Sequence, residues 1–205
     1  MKQFYAISLL LLSFQAIAED TLVTVLERMR STTAIKLAYQ ETRFMDMLDQ
    51  PWHGRGFMYS VPGNIMIKEQ TEPEKILMAI IDDKMFYYDI DNDIRHQGKL
   101  DEDNPMSLNI AVFKALMSAD RKLLEQFYHI DFIPGETHWE IILSDKNNPD
   151  SNFKIIIQGP AGQAANHIVI QQDEDDKSVL KLSQTATDSS VEQYIQALLK
   201  QLESQ

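Results

Sequence analysis

Five histidines are the residues of this chain best suited to metal binding or acid–base chemistry, but their spacing does not assemble a site. His53, His96, His129, His138 and His167 fall in separate predicted strands and turns. No two of them are three or four residues apart, the spacing that places two ligands on one face of a helix. The chain has no Cys, which excludes disulfides, thiolate metal sites and a cysteine nucleophile. We therefore predict no metal site and no cofactor.

The sequence also lacks the short motifs of common catalytic chemistries. It has no G-x-S-x-G nucleophile elbow, no H-E-x-x-H, no Gly-rich phosphate loop and no dinucleotide fingerprint. The stretch from Asp89 to Asp93 begins like a calcium loop, but the sixth position is Ile94 instead of Gly and the twelfth is Leu100 instead of Glu. A hairpin turn explains this stretch better. We predict no catalytic residues and no enzyme; a hydrolase whose His and carboxylates meet only on folding is the enzymatic alternative.

The charge balance limits the class of partner. The 205 residues include 19 Lys and Arg against 31 Asp and Glu, a formal net charge of −12. Nucleic-acid binding depends on clustered cations that release counterions, so a nucleic-acid partner is not expected. With 44% hydrophobic and 24% charged residues, the chain has the composition of a globular domain with a buried core.

The N-terminal eighteen residues have the pattern of a secretory signal peptide. Lys2 precedes a nearly unbroken apolar run over residues 4–12, and Ala16-Ile17-Ala18 is an A-x-A cleavage site. The alternative is an uncleaved membrane anchor, but the run is short and no basic stop-transfer cluster follows. We predict a cleaved signal peptide over residues 1–18, a single domain over residues 19–205, and a location in the periplasm.

Most of the chain alternates with the period of β-strands. Strands are predicted near residues 33–45, 52–61, 65–70, 75–81, 85–88, 94–100, 128–133, 139–143, 153–158, 167–171 and 179–183. Short polar turns separate the first six, which favours an antiparallel meander. Gly54 and Gly56 suit a bulge or a tight bend in a curved sheet.

Four segments have helical patterns. Residues 21–30 and 121–127 are predicted as short helices, and Ser189 with Glu192 forms a capping box that opens a last amphipathic helix. The segment from Met106 to Met117 is apolar nearly all round, so as a helix it must be enclosed or plug an opening.

Two motifs in this order of elements resemble the periplasmic lipoprotein carrier family LolA. Residues 54–62 read GRGFMYSVP, similar to the family's G-x-G-x-ϕ-x-x-x-P strand, where ϕ is an apolar residue. Residues 82–89 read DDKMFYYD, similar to its D-G-K-x-ϕ-x-x-Y hairpin. The similarity extends over about residues 22–182. In contrast to the family pattern, Val61 stands where the best-known carriers have an Arg implicated in passing cargo onward, and a capped helix replaces their F-x-F-x-P-P tail.

The resemblance implies an α+β fold, a strongly curved, incomplete antiparallel β-barrel of about 10–11 strands covered by a helical lid. It also implies an apolar cavity that shields the acyl chains of a lipoprotein, or of a related lipid, between the inner and outer membranes. A monomer would receive its cargo from an inner-membrane loading complex and deliver it to an outer-membrane acceptor.

Apolar residues of the predicted strands and lid are the candidate ligand-binding residues. They are Leu37, Tyr39, Phe57, Tyr59, Ile67, Met78, Ile80, Met85 and Tyr87 in strands, and Leu108, Val112, Phe113 and Leu116 in the lid. The same pattern fits a solid core, because cavity-lining and core strands have the same periodicity. A non-catalytic periplasmic scaffold whose acidic surface recruits a basic partner is therefore the alternative function.

Overall fold

The computed structural model describes residues 20–62, 65–99, 115–187 and 189–203. The predicted signal peptide and most of the predicted lid, including Leu108, Val112 and Phe113, lie outside the described residues. Within the described part, residues 115–118 are helical, in agreement with the end of the predicted lid helix.

The described residues form one antiparallel sheet of eleven strands. The strands are β1 (Ile35–Phe44), β2 (Trp52–Val61), β3 (Ile65–Glu72), β4 (Ile76–Ile81), β5 (Lys84–Asp89), β6 (Ile94–Lys99), β7 (Tyr128–Ile133), β8 (His138–Asp145), β9 (Lys154–Pro160), β10 (His167–Gln171) and β11 (Lys177–Ala186). Their spatial order is β6-β5-β4-β3-β2-β1-β11-β10-β9-β8-β7. In this part of the chain β6 and β7 are the two edges and the sheet does not close. The predicted fold class, an α+β fold with an incomplete antiparallel barrel, is confirmed.

Besides residues 115–118, the described part of the chain has the helices α1 (Leu22–Met29), α2 (Arg121–Phe127) and α3 (Ser189–Glu203). Thr21 begins α1, because its hydroxyl oxygen accepts a hydrogen bond from the Thr24 backbone N–H at 3.2 Å. Asp120 caps α2 in the same way, with its carboxylate accepting from the Leu123 N–H at 3.0 Å. Among the described helices, none is long and apolar enough to cross a membrane.

Successive side chains of a strand point to opposite faces of the sheet, and each face of this sheet has its own core. On the face that α1 covers (the α1 face), Leu37, Tyr39 and Met58 pack with Val25 and Leu26 of the helix. On the face that α3 covers (the α3 face), the buried strand residues pack against the C-terminal helix; they are Tyr59, Ile67, Leu77, Ala79 and Tyr88, opposite Val191, Ile195, Leu198, Leu199 and Leu202. Strands β4 and β5 are apolar on both faces: Leu77, Ala79 and Tyr88 pack under α3, and Met78, Ile80 and Met85 point to the α1 face.

The C-terminal helix is also fixed to the sheet by polar contacts. The Glu69 carboxylate accepts hydrogen bonds from the Tyr59 hydroxyl at 2.7 Å and from the Tyr194 hydroxyl of α3 at 2.9 Å. The Lys36 ammonium lies 3.8 Å from the centroid of the Phe57 ring and 5.6 Å from that of Tyr194. The sequence leaves open whether this helix packs on the barrel or docks on a partner, and the structure packs it on the barrel.

Gly56 lies at the β-bulge that the sequence predicts. The pairing of β2 with β3 shifts register between Arg55 and Gly56. A Cβ atom added to Gly56 would lie 1.9 Å from the backbone carbonyl oxygen of Glu69, so no larger residue fits without moving backbone.

Gly56→Ala is therefore expected to lower the free energy of unfolding by about 2–3 kcal/mol, the cost of overpacking against a backbone that cannot move aside. Urea denaturation measures this loss. Gly98→Ala is the matched control, since a Cβ on Gly98 of β6 meets no described atom within 4 Å. A change within about 0.5 kcal/mol is expected there. Equal losses in the two variants would contradict the close approach of β2 and β3.

Candidate functional site

Three adjoining cavities lie on the α1 face of the sheet. The main cavity, about 360 Å³, is bordered by β1, β3, β4, β5 and the β10–β11 hairpin. The inner cavity, about 140 Å³, lies between Leu37, Leu116 and Ile168. The rim groove, about 290 Å³, lies between Arg30 and Val61. The main cavity alone falls within the roughly 300–1,000 Å³ typical of small-molecule sites.

Methionine side chains connect these cavities. Met58 borders the main and inner cavities, and Met66 borders all three. Five of the ten methionines of the chain line the main cavity: Met45, Met58, Met66, Met78 and Met85. An unbranched thioether side chain changes rotamer readily, so walls of this kind adapt to ligands of different shape.

Seven of the predicted site residues lie on the α1 face. Met78, Ile80, Met85 and Tyr87 line the main cavity, Leu37 and Leu116 line the inner cavity, and Tyr39 is buried in the adjoining core. The β-ladder brings them together, because Met78 pairs with Tyr87 and Ile80 with Met85 across β4 and β5.

Three other predicted site residues, Phe57, Tyr59 and Ile67, belong to the core of the α3 face. Tyr59 borders the inner cavity as well, but its side chain is 1% exposed and packs beneath the C-terminal helix. The reason is the register: Leu37 pairs with Met58, so Met58 and not its neighbours in sequence shares the face of Leu37. The structure therefore adds Met58 and Met66 to the candidate site. Their residue type, an adaptable Met in a predicted cavity strand, is the sequence signal that pointed to them.

A buried charge network forms one wall of the main cavity. The Glu41 side chain is 4% exposed. Its Oε1 accepts a hydrogen bond from Arg43 Nε at 2.7 Å, and its Oε2 accepts one from Lys68 Nζ at 2.6 Å. The Lys68 ammonium also lies 4.8 Å from the centroid of the Tyr39 ring, and the Arg43 guanidinium 4.7 Å from that of Trp52. Glu41 and Arg43 follow Leu37 and Tyr39 on the same face of β1. The side chains of this face are therefore apolar up to Tyr39 and charged from Glu41 onward.

Burial and charge act in opposite directions on the pKa values of this network. Burial raises the pKa of Glu41, but the positive charges of Lys68 and Arg43 outweigh burial and hold it below its ordinary value. Burial, together with the positive charge of Arg43, lowers the pKa of Lys68 below its ordinary value, although the Glu41 carboxylate raises it. Glu41 is therefore ionised at neutral pH, and its charge keeps both cations in place.

The remaining polar candidates do not assemble into a reactive site. Within the described ranges, no three His, Asp or Glu residues lie close enough together to hold a metal ion. Val61, the position of the LolA transfer Arg, lies in the rim groove beside Pro62.

No family model and no curated protein matches this sequence. Solved structures that resemble its fold include a DUF1329 family protein from Desulfovibrio piger, at 8% identity and a TM-score of 0.47 over 79% of this chain and 88% of that one. A LolA superfamily protein from Nitrosomonas europaea has 10% identity and a TM-score of 0.44 over 79% and 89%. A protein described as an outer membrane lipoprotein-sorting domain, from Vibrio parahaemolyticus, has 10% identity and a TM-score of 0.44 over 86% and 97%. The LolA superfamily, which the sequence resembles, is thus among the structural neighbours, but likenesses this distant carry no functional conclusion.

Proposed function

We propose that this protein is a periplasmic carrier that shields the acyl chains of a lipoprotein, or of another acylated lipid, between the inner and outer membranes. The observation that carries the proposal is the row of adjoining cavities on the α1 face, whose surface is mainly apolar and rich in Met. The signal-peptide pattern of residues 1–18 and the two LolA-like motifs support the location and the cargo class.

The energetics of acyl burial determine how such a carrier works. Each buried CH₂ group contributes about 0.8 kcal/mol, so one long acyl chain brings on the order of 10 kcal/mol before ordering costs. A cargo held this firmly leaves only for a competing apolar site. We therefore propose that the protein acts as a passive monomer between an inner-membrane loading complex and an outer-membrane acceptor.

The proposed ligand-binding residues are those that line the main and inner cavities. They are Leu37, Met58, Met66, Met78, Ile80, Met85, Tyr87 and Leu116. Phe57 and Ile67 pack in the solid core under the C-terminal helix, and we assign them a structural part.

The test is to purify the exported protein without detergent, extract it with organic solvent and identify the extract by mass spectrometry. We expect acyl-bearing molecules in near-stoichiometric amount, and displacement of the same molecules by a fluorescent fatty-acid probe. A protein that carries no lipid and fails to bind the probe at micromolar concentration would contradict the proposal.

A further inference from the structure

The walls of the main cavity carry more positive than negative charge, although the chain as a whole is strongly acidic. Among the described residues that line it, Arg43, Lys68 and Lys177 are cations, and Glu41 and Asp176 are carboxylates. The whole chain has a formal net charge of −12. A local excess of cations inside an acidic protein attracts anions to that place and to few others.

The buried carboxylate of Glu41 does not use all the donors of the two cations that flank it. Among the described residues, the side chain of Arg43 makes one hydrogen bond, through Nε, and its two terminal NH₂ groups make none. The Lys68 ammonium likewise makes one of its three possible hydrogen bonds, to Glu41. The remaining donors of both groups are available to a ligand in the cavity.

The position of these donors indicates which kind of ligand would accept their hydrogen bonds. The Arg43 side chain is 39% exposed and the Lys68 side chain is 18% exposed, so a ligand in the cavity can reach both. The Glu41 side chain is only 4% exposed and is largely shielded from such a ligand. The methionine walls begin next to Lys68, which pairs with both Met58 and Met78 across the sheet. One end of the cavity is therefore cationic and the rest apolar.

Asp176 cancels one of the positive charges at this end, and the three cations against two carboxylates leave a net charge of +1. Its Oδ1 accepts a hydrogen bond from the Asp46 backbone N–H at 3.0 Å, which engages it in joining the β1–β2 connection to the β10–β11 hairpin. Lys177 follows it, with its ammonium 5.1 Å from the centroid of the Phe44 ring, where Phe44 is 36% exposed.

We infer that the main cavity takes an amphiphile with an anionic headgroup, a carboxylate or a phosphate, bound by Arg43 and Lys68 while its acyl chain lies along the methionine walls. The inference rests on the proposed carrier function and names the class of its cargo. Arg supplies a planar fork for two anionic oxygens and Lys a point charge, a pairing that suits either headgroup. Glu41 is then a positioning residue, which holds the two cations apart and competes with the headgroup for them.

The experiment compares an anionic ligand with its neutral counterpart in one chain length. The fluorescent probe cis-parinaric acid and its methyl ester are titrated at pH 7.5 into the full-length exported protein and into Arg43→Gln, Lys68→Gln and Glu41→Gln. We expect the wild type to prefer the acid by about tenfold or more, the strength of a hydrogen bond to a charged group. Arg43→Gln and Lys68→Gln should each remove most of that preference, by weakening binding of the acid more than binding of the ester. Glu41→Gln should increase the preference, since the amide oxygen can still accept a hydrogen bond from one of the two cations but no carboxylate charge competes with the headgroup.

Arg55→Gln is the matched control, because Arg55 pairs with Glu72 in an exposed ion pair. Its preference for the acid should equal that of the wild type. If Lys68→Gln fails to fold, Arg43→Gln alone tests the inference. This variant is expected to fold, because the Arg43 side chain is partly exposed and does not belong to the core.

Further ligands distinguish the sources of the anion. Lysophosphatidic acid is compared with lysophosphatidylcholine below their micellar concentrations, and inorganic phosphate is added as competitor. Tight binding of either anionic amphiphile, without competition from millimolar phosphate, supports the inference. Equal affinity for acid and ester in the wild type would overturn it while leaving the carrier function intact. Binding of inorganic phosphate alone as tightly as the amphiphiles would also overturn it, and failure of acid and ester alike would overturn the carrier function as well.

Discussion

Replacing Ile195 by Ala is expected to lower the free energy of unfolding by about 2–5 kcal/mol. Ile195 is 1% exposed and lies in the middle of the C-terminal helix α3, against the core of the α3 face. Removing buried methyl and methylene groups costs their transfer free energy and leaves a cavity that the surrounding residues fill only in part. Urea denaturation of the full-length protein measures the loss.

Gln196→Ala is the control, because Gln196 follows Ile195 in the same helix and its side chain is exposed. A change within about 0.5 kcal/mol is expected for it. If Ile195→Ala were as mild as Gln196→Ala, the helix would contribute little to the stability of the isolated protein and its apolar stripe would be available to a partner. A large difference places the helix among the elements that hold the fold together.

The strands were the most predictable part of this fold, and the reason is local. Segments such as β4 and β8 lie between turn residues and carry apolar side chains at nearly every position or at every second one. The last helix was predictable from its capping box and from the spacing of Val191, Ile195, Leu198 and Leu202, which the structure buries on one side. The bulge at Gly56 was predictable because a strand rarely contains two nearby glycines without a geometric need.

The assignment of side chains to one face or the other was not predictable in the same way. In β2 to β5, one set of side chains packs under α3 and the opposite set, with its four methionines, borders the main cavity. Both sets are largely apolar, so the alternation does not say which of them lies under the helix. Phe57, Tyr59 and Ile67 have the composition of cavity residues but pack under the C-terminal helix. Only the register of β1 against β2 decides between the two faces.

The charge network of Glu41, Arg43 and Lys68 could not be predicted from the sequence, for a related reason. Glu41 and Lys68 are 27 positions apart along the chain. Each lies in a strand that carries other charged residues, so neither stands out in the sequence. Their contact depends on β2 lying between β1 and β3, with Met58 pairing with Leu37 on one side and with Lys68 on the other. A break in the apolar alternation after Tyr39 is the one sequence signal that could have indicated it.

Met66→Trp is expected to weaken binding of cis-parinaric acid at least tenfold and to leave the free energy of unfolding unchanged or slightly raised. Met66 borders all three cavities, so an indole ring there occupies space in which the acyl chain would lie. Loss of two or more buried CH₂ contacts of about 0.8 kcal/mol each is enough for a tenfold effect. Fluorescence titration and urea denaturation of the same preparations give the two quantities.

The two results together distinguish a hollow interior from a filled one. In a filled core, a larger side chain forces its neighbours off their rotamers and costs about 1–3 kcal/mol; in a cavity it adds contacts without that cost. Met47→Trp is the matched control, since Met47 is 87% exposed and undergoes the same chemical change away from the cavities. A Met66→Trp protein that is destabilised and binds the probe as the wild type does would mean that the methionines pack a solid core. A stable variant that no longer binds would locate the acyl chain between Met58 and Met66, where the main and inner cavities meet.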